Sequence, residues 1–220
     1  MKTRPRRPYH HGDLRQALVD AAIELLRKSG PHALTLRGAA RAAGVSQAAP
    51  YRHFKDRKAL VAAVADDGFR RLRLAMSGEP APSPPKRGSR KPQTPRDAAS
   101  GLRQLAVEYA RFAHEHPAEY RVMFGAEILT DDDYDELRTS SRAVFDLLSG
   151  GIAQLQERGV IRKGDPDTIA IGAWAMMHGL VMLSLDRQAT VAAKPLDELV
   201  MAVTDLLMHG MAAQPRPKAP

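Results

Sequence analysis

The stretch TLRGAARAAGVSQAAPYRHF, residues 35–54, decides the fold of this chain. Thr35 is suited to cap a short helix over Leu36–Ala43, because its hydroxyl can accept a hydrogen bond from an amide in the first turn. Gly44 can then adopt the left-handed backbone conformation that a tight turn requires. A further helix is expected over Gln47–Phe54. Two short helices joined by a turn that contains glycine predict a helix-turn-helix unit.

Side-chain size divides this unit into an inner and an outer face. Three small residues, Ala39, Ala40 and Ala43, would let the two helices cross closely. The apolar residues expected to form the small core are Leu36, Val45, Phe54 and Leu60. The side chains left outside on the second helix, which Ser46 is expected to cap, are Gln47, Ala48, Tyr51, Arg52 and His53. Polar, cationic and small groups of this kind suit a helix that enters the major groove of DNA.

Flanking helices complete a predicted DNA-binding domain over residues 12–72. The first begins near Asp13, which opens a sequence with the spacing of a capping box. The last is capped by Asp56 and runs from Arg57 to about Met76. Residues 1–11 are rich in arginine and proline, which predicts a basic flexible arm ahead of the domain.

The distribution of charge separates the two ends of the chain. Residues 1–60 carry 13 lysines and arginines against 4 aspartates and glutamates, whereas residues 97–210 carry 10 against 18. A basic block joined to an acidic one is typical of a nucleic-acid-binding module on a separate body. The absence of cysteine excludes disulfides and cysteine nucleophiles, and the basic start lacks the apolar stretch of a signal peptide. We therefore expect a cytoplasmic protein that binds double-stranded DNA.

The rest of the chain predicts an all-α architecture. Residues 77–96 contain six prolines and five lysines or arginines without a large apolar residue, which predicts a flexible basic linker. Helical patterns then follow over residues 97–210, and a flexible tail is expected over 211–220. No strand pattern of period two and no internal repeat is visible. The region 97–210 is therefore predicted to be a helical effector-binding and dimerisation domain.

The helix expected over residues 166–185 is apolar on nearly every side, so we expect it to be buried all round, in a core or by a partner chain. Its apolar run contains His178 and Ser184 and is shorter than the roughly 20 residues of a membrane span, so no membrane is expected. Gly172 and Gly179 share one side of this helix, where another helix could approach closely. This pattern favours a homodimer.

The series T-L-R, A-A, A-G-V-S and Y-R-H-F, followed by K-D-R-K-A-L, resembles the DNA-binding domain of the TetR/AcrR family of transcription regulators. The resemblance extends from Leu14 to about Leu72 and implies a three-helix DNA-binding domain. By this resemblance, Thr35 and Arg37 would touch the DNA backbone at the start of the second helix. Gln47 and Ala48 would face base edges.

The same resemblance implies contacts to phosphates. Tyr51 and His53 would clamp phosphates, and Arg57 stands where the family usually has a phosphate-binding lysine. Further candidates around them are Arg52, Lys55 and Lys58. Two residues depart from the family pattern. Pro50 lacks an amide donor inside the recognition helix, and Gly38 is a weak helix former in the helix before it.

The C-terminal part resembles the subset of this family whose ligand domain carries a Trp-x-x-x-His-Gly signature, here Trp174-Ala-Met-Met-His178-Gly179. The segment HPAEYRVMFG, residues 116–125, is similar to that group as well. The resemblance implies dimerisation through the last two helices and a pocket for a small, largely apolar effector. Candidate ligand-binding residues are Phe112, Met123, Phe124, Trp174, Met177, His178 and Val181. Each of them could equally be an ordinary core residue.

The sequence lacks complete motifs for a metal site or a catalytic site. Asp131, Asp133 and Asp135 begin with the spacing of a calcium loop, but Glu136 and Arg142 occupy the glycine and last ligand positions. No nucleotide-binding loop, nucleophile elbow or zinc-protease motif is present, so we expect no enzyme, cofactor or metal. The chain is therefore interpreted as a repressor released from a palindromic operator by a ligand. Two alternatives stay open: an activator or ligand-independent architectural protein, and an all-α enzyme with an active site around His178.

Overall fold

The structure is a computed structural model, which describes residues 11–78, 95–125 and 134–211. The secondary-structure elements in these ranges are α-helices and short 3-10 turns, so the all-α prediction is confirmed. The helices are α1 His11–Ser29, α2 Leu36–Ala42, α3 Arg57–Ser77, α4 Pro95–Glu115, α5 Pro117–Met123, α6 Asp135–Glu157, α7 Pro166–Leu185, α8 Ala189–Ala192 and α9 Leu196–Met211. Short 3-10 turns cover Pro31–Ala33 and Ala49–Arg52. The predicted basic arm, linker and tail lie almost wholly outside the described residues.

The chain divides into two compact units. The first consists of Met1–Phe69 and Ala118–Arg138, and the second of Arg70–Pro117 and Thr139–Pro220. Ala118–Arg138 was assigned by sequence to the domain at 97–210, yet it packs with the N-terminal residues. The first unit therefore contains a segment that no local sequence pattern connects to the helix-turn-helix.

The first unit is built on α1, α2 and the start of α3. Leu36, Phe54 and Leu60 are buried as predicted, and Val45 is half-buried. Gly44 has φ 69°, which is the left-handed turn expected after α2. The structure also explains why residue 38 is a glycine. A Cβ at this position would lie 2.9 Å from Thr35 Oγ1 and 3.2 Å from Leu25 Cδ1. Glycine thus lets the start of α2 lie directly against α1.

Two of the helix caps predicted in and around the helix-turn-helix, those at Thr35 and Asp56, are present. The Thr35 hydroxyl accepts a hydrogen bond from the Gly38 amide at 3.0 Å, and the Asp56 carboxylate accepts one from the Ala59 amide at 2.8 Å. The start predicted for α1 differs, because the helix begins at His11 and so Asp13 lies inside it. A side-chain cap joins two residues only a few positions apart in the sequence, so the local pattern is enough to predict it.

The prediction of an α-helix over Gln47–Phe54 is wrong, since the regular part is a 3-10 turn over Ala49–Arg52. Pro50 is the physical reason: it has no amide hydrogen to donate to Ser46 O, and the Ala49 amide takes that oxygen instead at 3.0 Å. The predicted cap at Ser46 is also wrong. Ala48 precedes the turn, and no side chain caps it.

The second unit packs α4, α7 and α9 against one another. Its core contains the buried residues Leu102, Ile152, Leu155, Ile161, Ala170 and Met211. At the start of α7, the Asp165 carboxylate accepts hydrogen bonds from the Asp167 and Thr168 amides, and Pro166 occupies the first turn. The α6 helix begins with the acidic residues Asp135 and Glu136, whereas Asp131 and Asp133 lie outside the described residues.

Burial of α7 on all sides, as expected from sequence, is wrong for the single chain. Its buried residues are Ala170, Ala173, Met177 and Val181, which form one stripe. Among the described residues, α7 is the one helix long and apolar enough to cross a membrane by length and composition. Its stripe packs within the helical second unit, however, and the helix carries His178 and Ser184. We therefore interpret α7 as a helix of a packed protein domain.

Candidate nucleic-acid interface and sensor site

The 3-10 turn over Ala49–Arg52, here called the recognition turn, presents polar side chains on a buried base. Pro50 and Phe54 are buried, and the Pro50 carbonyl accepts hydrogen bonds from the His53 and Phe54 amides, both at 2.9 Å. The side chains predicted to meet DNA surround this base: Gln47, Ala48, Tyr51 and Arg52 are exposed, and His53 is half-buried. Tyr51 is 54% exposed although it is a large aromatic residue. The turn thus holds its outer side chains on a fixed backbone.

The start of α2 supplies a second polar surface in the same unit. Thr35 and Arg37 are exposed, and the cap formed by the Thr35 hydroxyl holds this end of the helix. Lys58, in the first turn of α3, is half-buried. The cation of Lys55 lies 5.6 Å from the ring centre of Tyr134. These cations make the first unit suited to a polyanionic partner.

Arg57 has a different environment from the one the family resemblance implies. Its Nε donates a hydrogen bond to the Leu34 carbonyl at 2.9 Å, and its Nη2 donates to the Pro31 carbonyl at 3.3 Å. The side chain is half-buried. The guanidinium is therefore directed at the backbone of the loop between α1 and α2.

An ion pair between the exposed Arg27 side chain and a buried carboxylate joins α1 to α5 within the first unit. Arg27 Nε donates to Glu119 Oε1 at 2.8 Å, and the Glu119 side chain is 0% exposed. This hydrogen bond raises the pKa of the Arg27 guanidinium above its ordinary value. Arg15 also pairs with Glu136 at 2.9 Å. Sequence reasoning missed these pairs, and the one available signal was a carboxylate within the otherwise apolar start of α5.

Met123 and Phe124, two of the predicted ligand-binding residues, lie in the first unit. Met123 is fully buried, and a Cβ on Gly68 would lie 2.5 Å from its sulfur, so glycine is what lets the thioether pack on α3. The Phe124 ring meets the ring of Phe69 edge-on at 5.3 Å and that of Tyr120 at 4.8 Å. Both residues have the contacts of ordinary core residues.

A polar network in the second unit joins α4 to α7. Trp174 Nε1 donates to Tyr109 Oη at 3.1 Å, and Tyr109 Oη lies 2.9 Å from His178 Nδ1. The indole can only donate, so Tyr109 Oη accepts this bond, and its own hydrogen is available to a neutral His178 whose Nδ1 is unprotonated. Burial lowers the pKa of His178, which favours the same neutral form. Tyr109 was not predicted, because its partners lie 65 and 69 residues away in the sequence.

The predicted ligand-binding residues of the second unit lie on α4 and α7, the two helices that carry this network, and they differ in exposure. Phe112 is buried and its ring lies 4.7 Å from that of His116. Met177 and Val181 are buried in the stripe of α7, whereas Trp174 is 37% exposed. The seven candidates are therefore divided between the two units, with five in the second.

Large apolar side chains are exposed on two helices of the second unit. Its large exposed residues on α7 and α9 are Ile171, Trp174, Met176, Leu183, Met201 and Leu206. Gly172 and Gly179 lie on the same helix, and a Cβ on either would meet nothing within 4 Å. We call the α7 part of this surface the outer face of α7. Exposed apolar residues grouped in this way are typical of a protein interface.

Two family models match this chain. Residues 18–64 match the family model described as bacterial regulatory proteins, tetR family, and residues 102–207 match the one described as tetracyclin repressor-like, C-terminal domain. Together the two matches cover more than half of the chain. The chain belongs to the tetR family. The recognition turn and the start of α2 are thus parts of the helix-turn-helix of a DNA-binding transcription regulator of this family.

Individual relatives share the fold along most of the chain. The HTH-type transcriptional regulator BetI of Rhizobium meliloti is 28% identical over 191 residues, covering 87% of this chain and 85% of its own. The nucleoid occlusion factor SlmA of Marinobacter nauticus is 27% identical over 154 residues, covering 68% and 70%. A solved structure of a protein with unknown function from Rhodococcus sp. RHA1 is 34% identical, with a TM-score of 0.77 and coverage of 95% and 100%.

Proposed function

We propose that this tetR-family protein is a cytoplasmic homodimeric repressor that binds a palindromic operator and is released by a small, largely apolar ligand. The observation that carries the proposal is the contrast between two exposed surfaces. The first unit exposes polar and cationic side chains around the recognition turn, while the second exposes apolar ones on α7 and α9. The first surface suits DNA, and the second suits another copy of the chain.

The proposed DNA contacts follow from exposure and chemistry. Gln47 and Ala48 would face base edges in the major groove, since an exposed amide at the start of the turn can bond a base directly. Thr35 and Arg37 would contact the DNA backbone from the start of α2. Contacts to phosphates are proposed for the remaining polar residues of this surface: Tyr51, Arg52, His53 and Lys58.

The proposed dimer uses the outer face of α7 together with α9. Small residues at Gly172 and Gly179 leave room for a partner helix to approach the backbone. The exposed side chains of Ile171 and Met176 would then be buried by the partner's equivalent surface, which a two-fold axis makes self-complementary. Two DNA-binding units held by one dimer would read two half-sites, so a palindromic operator follows.

The proposed sensor lies in the second unit around the Trp174–Tyr109–His178 network. Trp174 and His178 carry the Trp-x-x-x-His-Gly signature in the sequence, and we propose that the chain belongs to that subset. Met177, Val181 and Phe112 would supply apolar contacts near the network, and a methionine adapts well to varied ligands. Met123 and Phe124 are left out of the proposed sensor, because they pack on Gly68 and Phe69.

One segment could couple the sensor to DNA binding. The α5 helix follows α4 along the chain, and it packs in the first unit through the Arg27–Glu119 pair. A ligand that binds the two states of the protein with different affinity would shift their populations. Movement of α4 would then reach the DNA-binding unit through this segment.

Selection of bound fragments from genomic DNA tests the function. The proposal predicts enrichment of one palindromic sequence that overlaps a promoter. Compounds handled by the products of the neighbouring genes would then be titrated while the emission of Trp174, the only tryptophan, is recorded. The repressor proposal predicts that the same concentration changes the emission and releases DNA. Binding without any sequence preference would refute it.

A ligand-independent DNA-binding role is the second candidate, because one relative is named as a nucleoid occlusion factor. That role predicts many enriched sites spread over the chromosome, outside promoters, and no compound that releases the protein. The same selection therefore separates the two functions. A third possibility, an enzyme with a site around His178, would require turnover of the bound compound.

A further inference from the structure

Arg57 occupies a position between the two elements of the first unit that present polar residues. It is the first residue of α3, and its guanidinium donates to the carbonyls of Leu34 and Pro31 at 2.9 and 3.3 Å. Both carbonyls belong to the loop that leads into α2. Hydrogen bonds from a charged donor are the stronger kind in proteins.

The loop that receives these bonds determines where α2 begins. Leu34 is fully buried and its amide bonds the Pro31 carbonyl at 3.3 Å, which closes the short 3-10 turn. Thr35 follows immediately and caps α2. The α2 helix has only seven residues and includes Gly38, so it is too short to be stable without support from its surroundings. Its placement depends on the contacts that hold the loop.

The other side of Arg57 is joined to the recognition turn by a short, ordered connection. The Phe54 amide bonds the Pro50 carbonyl, and the Asp56 carboxylate caps α3 through the Ala59 amide. A guanidinium fixed to this connection and bonded to the loop before α2 sets the distance between the recognition turn and the start of α2.

We propose that Arg57 is a positioning residue for DNA binding, acting through the Leu34 and Pro31 carbonyls instead of by a phosphate contact. It holds Thr35 and Arg37 at a fixed distance from the recognition turn, so that both surfaces meet the DNA together. The inference rests on the DNA-binding function. It also explains arginine at this position, since a planar fork reaches two carbonyls and a lysine ammonium is a single compact charge.

The conservative variant Arg57→Lys tests the inference, because it keeps the charge and removes the fork. We expect operator affinity to fall about tenfold while the salt dependence of binding stays as in the wild type. In the protein without DNA, the amides of Leu34 and Gly38 should exchange hydrogen faster. Arg57→Ala should resemble Arg57→Lys in this exchange. The matched control is Arg162→Lys, the same change at an exposed residue of the second unit, which should alter neither the exchange nor the affinity by more than about twofold.

The proposal would be overturned if Arg57→Lys behaved like the wild type and only Arg57→Ala differed from it. If Arg57 acts as a charge on a phosphate, Arg57→Lys will bind DNA like the wild type, and Arg57→Ala will lose about one unit of salt slope per DNA-binding unit. Unchanged exchange at Leu34 and Gly38 in both variants would also contradict it. A wild-type protein that bound no DNA would refute the DNA-binding function instead, and the exchange data would still test whether Arg57 holds the loop.

Discussion

The recognition turn and the outer face of α7 expose their side chains in opposite ways. Around the recognition turn, polar groups such as Gln47 and Arg52 face solvent while Pro50 is buried beneath them. On α7, the apolar side chains of Ile171 and Met176 face solvent, whereas the polar atom of Trp174 is bonded to Tyr109. Water solvates the polar side chains of the first surface well, whereas exposure of the apolar side chains of the second surface to water is unfavourable.

This difference teaches what each surface requires. A polar surface over a satisfied backbone can wait for a charged partner without a cost in solvation, and DNA is such a partner. An apolar helix face gains free energy only when another apolar surface covers it. Changes in the first unit should therefore affect DNA recognition or folding of the single chain, and changes on the outer face of α7 should affect association.

The largest effect is expected for Gly179→Glu. The carboxylate has room in a single chain, but in the dimer it would be buried without a partner, which costs several kcal/mol. Sedimentation should give a monomer at micromolar concentration, and operator affinity should fall by about a hundredfold because two linked DNA-binding units become one. Gly150→Glu, the same change at an exposed and open position of α6, is the control and should remain dimeric. A dimeric Gly179→Glu protein would place the interface elsewhere.

A smaller effect is expected for Arg27→Met, and it should concern folding and leave association unchanged. The variant leaves the fully buried Glu119 carboxylate without its cation, so the free energy of unfolding should fall by about 3 kcal/mol. Glu24→Gln removes an exposed partner of the same arginine and should change it by less than about 0.5 kcal/mol. Urea denaturation measures both.

The double variant Arg27→Met/Glu119→Met sharpens this test, because two apolar residues should recover much of the lost stability. Equal losses for Arg27→Met and Glu24→Gln would mean that the Arg27–Glu119 pair does not stabilise the first unit.

The two regions also differ in how far their sequence predicted them. In the helix-turn-helix, the caps at Thr35 and Asp56 and the turn at Gly44 could be predicted, because each depends on residues a few positions apart. The prediction of an α-helix over residues 47–54 was wrong, because Pro50 has no amide hydrogen to donate to an α-helical hydrogen bond. Local patterns thus predict local hydrogen bonds and fail where a single backbone donor decides the conformation.

Long-range contacts set the limit in the sensor region. Tyr109 bonds Trp174 and His178 from another helix, and no spacing in the sequence indicates such a partner. The composition of α7 indicated burial but could not distinguish burial in the chain's own core from burial by a second chain. In the structure, the single chain buries only the stripe of α7 that runs from Ala170 to Val181.

A change confined to recognition is expected for Gln47→Ala. Removing one exposed amide should alter the preference at one base position of each half-site by about 1–3 kcal/mol and leave nonspecific binding unchanged. Selection of bound fragments from random DNA measures the preference of wild type and variant side by side. Gln16→Ala removes an exposed amide from α1 and is the control. Identical preferences for all three proteins would exclude Gln47 from base contacts.

The smallest effect is expected from the titration of His178. Because burial lowers its folded-state pKa, the unfolded chain binds a proton more readily, and the free energy of unfolding should fall as the pH falls below about 6.5. The half-exposed position screens the effect to below about 1 kcal/mol. Denaturation of wild type and His178→Gln should be followed from about pH 8 to about pH 5, which is about 1.5 units either side of the ordinary pKa. The stability difference between the two proteins should shrink toward acid. A constant difference would contradict a neutral His178 bonded to Tyr109.

The most direct test of DNA recognition by a dimer is a titration of the wild-type protein with its best selected duplex and with a scrambled duplex of equal length, across a series of salt concentrations. The account predicts two chains per palindrome, affinity for the selected duplex about a thousandfold above that for the scrambled one, and a linear fall of log affinity with log salt. Equal affinity for both duplexes, or one chain per palindrome at saturation, would contradict it.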